Sequence, residues 1–292
     1  MSSADVRELS VPVPGGELAV AHWPGDPAAV PVLALHGITA NSRAFTASAR
    51  ELGDRPLYAP DLRGRAGSRA LPGPWGLAAH VTDVLAVLDH LGLERPVLLG
   101  HSMGAFIAAL AASRHPERFA RVVLVDGGVG FPAPAGTDTD ARLEAVIGPA
   151  MRRLSMTFPD SASYREFFRA HPALAGHWGP DAAAYIDHDL TGIPPELRSS
   201  CVREAVLADG ADVLADPETL SAVHRLTVPA TLLWAERGLM DEPQGLYDTG
   251  RLDAAGLDPD RIAVRCVPDT NHYTILLARH AVRAVAEEVA RA

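Results

Sequence analysis

Arg95-Pro96-Val97-Leu98-Leu99-Gly100-His101-Ser102-Met103-Gly104 is the stretch on which the reading of the whole chain turns. Its apolar run has the character of a parallel strand buried on both faces, and the residues after it, Ala105 to Ser113, are small and helix-forming. Ser102 therefore sits on a strand-to-helix turn. A serine held there adopts a strained backbone conformation, and glycines two residues before and after it let strand and helix approach without a Cβ clash. The hydroxyl is raised above the sheet edge with the first amides of a helix beneath it, where negative charge is stabilised.

Toward the N-terminus, residues 7–13 and 17–24 alternate around Pro14-Gly15-Gly16 and predict a hairpin of edge strands. Val30 to Leu35 is a second buried strand, ending in His36-Gly37-Ile38-Thr39, after which Asn41 or Ser42 caps a short helix through Leu52. Residues 55–62 give another strand, followed by the loop Arg63-Gly64-Arg65-Ala66-Gly67-Ser68. Leu77, Val81, Val84, Leu85, Leu88 and Leu91 then recur at helical spacing, with Gly92 at the helix end.

Toward the C-terminus, Arg121 to Val125 is a strand ending in Asp126-Gly127-Gly128. Alternating strands and helices mean a mostly parallel sheet with right-handed crossovers, covered by helices on both faces. The alternation stops at Gly130. From there to about Arg225 the chain has helical patterns, several prolines and no strand signal. Seven of its 16 Phe, Trp and Tyr residues fall there: Phe131, Phe158, Tyr164, Phe167, Phe168, Trp178 and Tyr185. This predicts a helical cap over 131–225, inserted between strands six and seven of a core formed by 1–130 and 226–292, with Pro132-Ala133-Pro134-Ala135-Gly136 as its hinge. The sheet resumes at Val228 to Trp234 and Arg261 to Val267, and a closing helix follows from about Tyr273 to Ala292.

Composition removes several functions. The chain of 292 residues carries a net charge of −10, which argues against nucleic acid or an anionic membrane surface as partner. All 26 basic residues are arginine, so no lysine is present to form a Schiff base or to bind nucleotide phosphates. No apolar run approaches the roughly 20 residues of a membrane span. Asp5 and Glu8 stand where a secretory signal carries basic and then apolar residues, so the expected location is the cytoplasm. Cys201 and Cys266 have no second ligand at metal spacing and are expected to be buried free thiols. Neither a metal nor a cofactor is expected. Asp187-His188-Asp189 does not suggest a metal site either, because three consecutive residues on a regular element cannot face one ion; a solvated turn is the simpler expectation.

His36-Gly37, Pro60-Asp61-Leu62-Arg63-Gly64, Gly100-His101-Ser102-Met103-Gly104 and Asn271-His272-Tyr273 each end a predicted strand or follow one directly. In that order they resemble the α/β-hydrolase superfamily over essentially the whole chain, and the serine turn resembles its nucleophile elbow. The resemblance implies an eight-stranded α/β-hydrolase fold with an inserted cap, and a Ser102 nucleophile served by His272 as general base. It further implies an oxyanion hole made by the backbone amides of Ile38 and Met103, and hydrogen bonds by which Asp61 and Arg63 fix their loop. The chain departs from the family at the acid. Where the usual pattern has glycine, two residues and aspartate, this sequence has Ala235-Glu236-Arg237-Gly238, with glycine in the acid's place. Three carboxylates stay open: Asp126 at the end of the sixth strand, Asp241 three residues beyond Gly238, and Glu236. Strand-end position favours Asp126, with Asp241 the alternative.

The activity implied is hydrolysis of a carboxylic ester, or a lactone, of a small to medium hydrophobic molecule through an acyl-enzyme. A carbon-carbon bond hydrolase or a cofactor-free perhydrolase would use the same residues, and a non-catalytic ligand-binding member of the fold is the alternative of a different class.

Overall fold

The computed structural model describes residues 6–131 and 138–292. The expected hinge, Pro132 to Gly136, lies outside the described residues, as does Asp5. The sheet strands are β1 (Arg7–Val13), β2 (Gly16–Trp23), β3 (Val32–Leu35), β4 (Leu57–Pro60), β5 (Val97–His101), β6 (Arg121–Val125), β7 (Ala230–Ala235) and β8 (Ile262–Val267). They pair in the order β1-β2-β4-β3-β5-β6-β7-β8, antiparallel at β1–β2–β4 and parallel from β4 onward. This is the α/β-hydrolase fold expected from the sequence. The continuous apolar runs mark the centre, since every residue of β3 and β5 is buried.

Helices cover both faces. On one lie α2 (Leu77–Leu91) and α3 (Met103–Arg114), joined to the sheet by a core that includes Leu33, Leu35, Leu98, Phe106 and Leu124. On the other, α1 (Thr46–Glu51) and the closing helix α10 (Arg279–Val289) pack with Val32, Leu99 and Val123. Asn41 caps the short turn before α1 by accepting the Arg43 amide, and Gly92 ends α2 with a left-handed φ of 62°. Nearly all of α3 is buried, because it lies between the sheet, α2 and a later segment of the chain. Its small residues are therefore not an amphipathic pattern but the packing surface of a central helix.

Between β6 and β7 the chain forms α4 (Thr139–Arg153), α5 (Ser161–Arg169), α6 (Pro180–His188), α7 (Arg203–Ala215) and α8 (Pro217–Ser221). Pro149 lies within α4, which loses helical dihedrals at Ile147 (φ −124°, ψ 17°). Two apolar clusters hold this insertion: Leu143, Ile147, Met151 and Val206 in one, Phe158, Tyr164, Phe168 and Ile186 in the other. Its last part returns to the core, where α8 and the 3-10 turn Ala222–Arg225 rest on α3.

The absence of strands expected here is corrected. Leu190–Thr191 and Arg198–Ser199 pair antiparallel, and Phe158 bridges Leu197. Two-residue strands are too short to show a period. The short helix α9 (Thr249–Ala255) lies between β7 and β8. Cys201 is buried as expected, but Cys266 is partly exposed because β8 is the outer edge of the sheet. Among the described residues, no helix is long and apolar enough to cross a membrane.

Candidate active site

Ser102 lies between the end of β5 and the start of α3 with φ 56° and ψ −124°, a conformation costing a non-glycine residue about 1–3 kcal/mol. Close packing on all sides enforces it. A Cβ on Gly100 would run into the backbone of Gly104, and one on Gly104 would run into the carbonyl of Leu35. Gly37 is packed less tightly, since a Cβ there would stand 3.1 Å from that of Ser102. The turn is fixed by its own amide, which donates to the Val125 carbonyl at 2.9 Å.

His272 follows β8 on the loop before α10, and its Nδ1 is 2.6 Å from Oδ2 of Asp126. Asp126 ends β6 with φ 47° and is fully buried. Its other oxygen, Oδ1, accepts the Ala235 amide at 3.0 Å, and its own amide donates to the Leu233 carbonyl at 2.7 Å. The carboxylate is thus pinned across the ends of β6 and β7 with one oxygen on the imidazole. A proton on Nδ1 directed at that oxygen leaves Nε2 of His272 as the basic nitrogen. His101 steadies the same loop: its Nε2 donates to the His272 carbonyl at 2.8 Å, and its ring lies 4.7 Å from the His272 ring. Burial pushes the His101 imidazole well below its usual pKa, with the neighbouring His272 adding to the effect, so it is neutral.

The other two carboxylates point elsewhere. Asp241 is gripped by Arg237, with Nε at 2.8 Å from Oδ1 and Nη2 at 3.0 Å from Oδ2, and accepts Asn271 Nδ2 at 3.0 Å. The Arg237 hydrogen bond, followed by that of Asn271, holds its carboxyl below the usual range. Glu236 accepts the Asp269 amide. Neither reaches His272.

The loop after β3 is set by His36, which is fully buried. Its Nε2 accepts the Leu62 amide at 2.9 Å, which makes Nδ1 the protonated nitrogen, and Nδ1 donates to the Gly37 carbonyl at 2.8 Å. Burial lowers its pKa to about 4, consistent with a neutral ring. In a trans peptide the N–H opposes the C=O, so holding the Gly37 carbonyl outward turns the Ile38 amide the other way. Among the described residues, neither the Ile38 nor the Met103 amide donates to a protein acceptor.

Ser102 and His272 both line two small apolar cavities. One, of about 70 Å³, is walled by Ala44, Leu174, Tyr185 and Leu276; the other, of about 50 Å³, by Phe106, Phe131, Val213 and Leu214. A third, of about 520 Å³, shares Thr39, Ile147, Tyr185 and Tyr273 with the first and adds Arg153, His171 and Glu242. The insertion contributes to every wall, through Ile147 in all three. No group of residues that could hold a metal occurs among the described residues.

Asp61 and Arg63 do fix their loop. Asp61 accepts the amides of Ser42 and Gly67, and Arg63 forms a buried fork on Asp83 while also reaching the carbonyls of Pro14 and Pro72. The expected solvated turn at Asp187-His188-Asp189 is corrected. Asp187 pairs with Arg165, His188 Nε2 meets Asp61 Oδ2 at 2.7 Å, and Asp189 is buried on Arg153, Tyr164, Ser199 and Ser200. The end of α6 turns its polar residues onto the core loop and into the insertion, and partners this remote in sequence leave no local pattern. Arg65, unmarked by any motif expectation, is wholly buried against Asp209.

A family model described as alpha/beta hydrolase fold matches residues 30–163. The chain is 37% identical over 177 residues to lipase LipV of Mycobacterium tuberculosis H37Rv, covering 59% of this chain and 61% of that protein. It is 40% identical over 87 residues to a 2-hydroxymuconate semialdehyde hydrolase of Pseudomonas putida, covering 29% and 31%. The matches thus span less than two thirds of either relative. The solved structure of E-2-(acetamidomethylene)succinate hydrolase superposes with a TM-score of 0.79 at 21% identity, over 98% of this chain and 99% of that one, a likeness of fold alone.

Proposed function

Because this chain belongs to the α/β-hydrolase superfamily, we propose that it is a cofactor-independent serine hydrolase cleaving carboxylic esters, or lactones, of small to medium hydrophobic molecules. The observation that carries the proposal is the buried Asp126–His272 pair at 2.6 Å, opening on the cavities that Ser102 lines. Asp126 holds the imidazole tautomer and stabilises the imidazolium that forms when His272 takes the Ser102 proton. Ser102 Oγ attacks the carbonyl carbon, and the Ile38 and Met103 amides hold the oxyanion. His272 then protonates the departing alkoxide, and the acyl group stays on Ser102. Water, deprotonated by the same imidazole, attacks the acyl-enzyme, and His272 passes that proton to the departing Ser102 Oγ as the acid is released.

The helical cap supplies the apolar walls and makes small neutral acyl and alcohol groups the fitting substrates. The reading carries with it a cytoplasmic location and no nucleic-acid or membrane partner. Hydrolysis of p-nitrophenyl acetate and butyrate, lost in Ser102→Ala, together with covalent labelling of Ser102 by a phosphonate, tests it. Ligand binding without turnover would replace it with the non-catalytic alternative.

A further inference from the structure

Both carbonyls flanking the Ile38 amide are held by side chains. His36 takes that of Gly37, and Arg65 Nε donates to that of Ile38 at 3.0 Å. Arg65 comes from the loop after β4 and is completely enclosed. Its Nη1 donates to the Arg63 carbonyl at 2.8 Å and lies 2.5 Å from Oδ2 of Asp209, which α7 supplies from the insertion. Asp209 is as deeply buried and also meets His80 Nε2 at 3.0 Å and the Gly76 amide at 2.8 Å, both at the start of α2. Three segments distant in sequence thus meet at the Arg65–Asp209 pair on the loop that carries Arg65.

Stability is a poor account of this arrangement, because a buried ion pair is often no more stabilising than apolar residues of the same volume. Fastening α7 to α2 does not require Arg65 either, since Asp209 and Asp212 already accept the Gly76 and Leu77 amides. What only Arg65 provides is a charged donor on the Ile38 carbonyl. A planar guanidinium can fork between that carbonyl and Asp209, whereas an ammonium on a flexible stem cannot hold both directions.

We propose that Arg65, oriented by Asp209, is a positioning residue that fixes Ile38 so that its amide faces the oxyanion, and that α7 of the insertion thereby governs the oxyanion hole. The proposal rests on the reading of Ile38 as an oxyanion donor. Displacing α7 would release Arg65, let the Ile38 peptide rotate and weaken catalysis without touching Ser102 or His272.

The test is Arg65→Lys, which keeps the charge beside Asp209 but not the fork. A misplaced catalytic group costs up to about a hundredfold, so kcat on p-nitrophenyl butyrate per phosphonate-titrated site is expected to fall about 10- to 100-fold with KM nearly unchanged. Affinity for a trifluoromethyl ketone, whose adduct carries the oxyanion, is expected to fall by the same factor as kcat/KM. Arg65→Met with Asp209→Leu removes both buried charges together and is expected to reproduce the loss, which keeps the test open if Arg65→Lys folds poorly. A kcat unchanged in a folded variant, a loss confined to KM, or the absence of titratable sites in both variants would overturn the proposal. Turnover surviving Ser102→Ala refutes the reading of the site itself; Ser102-dependent turnover that ignores Arg65 refutes only this proposal.

Discussion

Asp126 and Asp241 follow neighbouring strands, both with a left-handed backbone, φ 47° and 64°, yet their surroundings make them chemically different. Asp126 is sealed from water, with one oxygen on the Ala235 amide and the other on His272. Asp241 is about a third exposed and has both oxygens taken by Arg237. A carboxylate serves an imidazole when the protein leaves one of its oxygens for that imidazole. An arginine fork removes that freedom and neutralises the charge. The loop after β7 has therefore become a surface ion pair, while the turn after β6 offers the buried carboxylate.

The largest effect expected is at the nucleophile, one step beyond the imidazole that either carboxylate could serve. Ser102→Ala should lower kcat by about 10⁶-fold, to a floor against which either aspartate is measured. A rate in Ser102→Ala close to that of the parent would mean that Ser102 is not the nucleophile, and with it that neither acid acts through His272 on Ser102. Next, moving the acid to the family's position should fail. In Asp126→Asn/Gly238→Asp, the new Cβ would meet the Gln244 carbonyl at 2.8 Å and crowd Glu242, so kcat should remain about 10⁴-fold below the parent, as in Asp126→Asn alone. Recovery to within tenfold would show that the two loops are interchangeable.

The contrast between buried and solvated partners extends to pH. His36 has its pKa lowered by burial from 6.5 to about 4, so the folded state binds fewer protons than the unfolded chain between those values. Its contribution is complete above pH 6.5 and is lost as pH falls toward 4, and the lowered His101 acts with the same sign. By pH 5 the loss from His36 alone should reach about 2 kcal/mol, read from urea midpoints at pH 7.5 and 5. Equal midpoints would contradict the neutral His36 on which the Ile38 loop depends. Smallest of all, Asp241→Asn should change kcat by about threefold or less, since an exposed pair contributes little.

The sequence was most informative where strands end. Ser102 and Asp126 were picked out because continuous apolar runs fix where a parallel strand stops, and His272 because the resemblance puts the base after the last strand; in the structure those three positions converge. Choosing among three carboxylates needed coordinates, because the Arg237 fork on Asp241 is a matter of side-chain direction. The insertion was legible as helical, but not its two-residue strands, nor Asp189 enclosed by Arg153 and Tyr164. Arg65 and Asp209 lie 144 positions apart, and nothing local in either neighbourhood announces that they will share a buried charge. Such pairs follow from how the insertion seats on the core.

The most direct measurement is kcat of Asp126→Asn beside Asp241→Asn, each with its melting temperature and phosphonate-titrated sites. An asparagine at 126 presents the wrong partner to the His272 tautomer, so kcat should fall by about 10⁴-fold in folded protein while Asp241→Asn stays near the parent. The reverse pattern, with Asp126→Asn active and Asp241→Asn crippled, would contradict the assignment of Asp126 to His272.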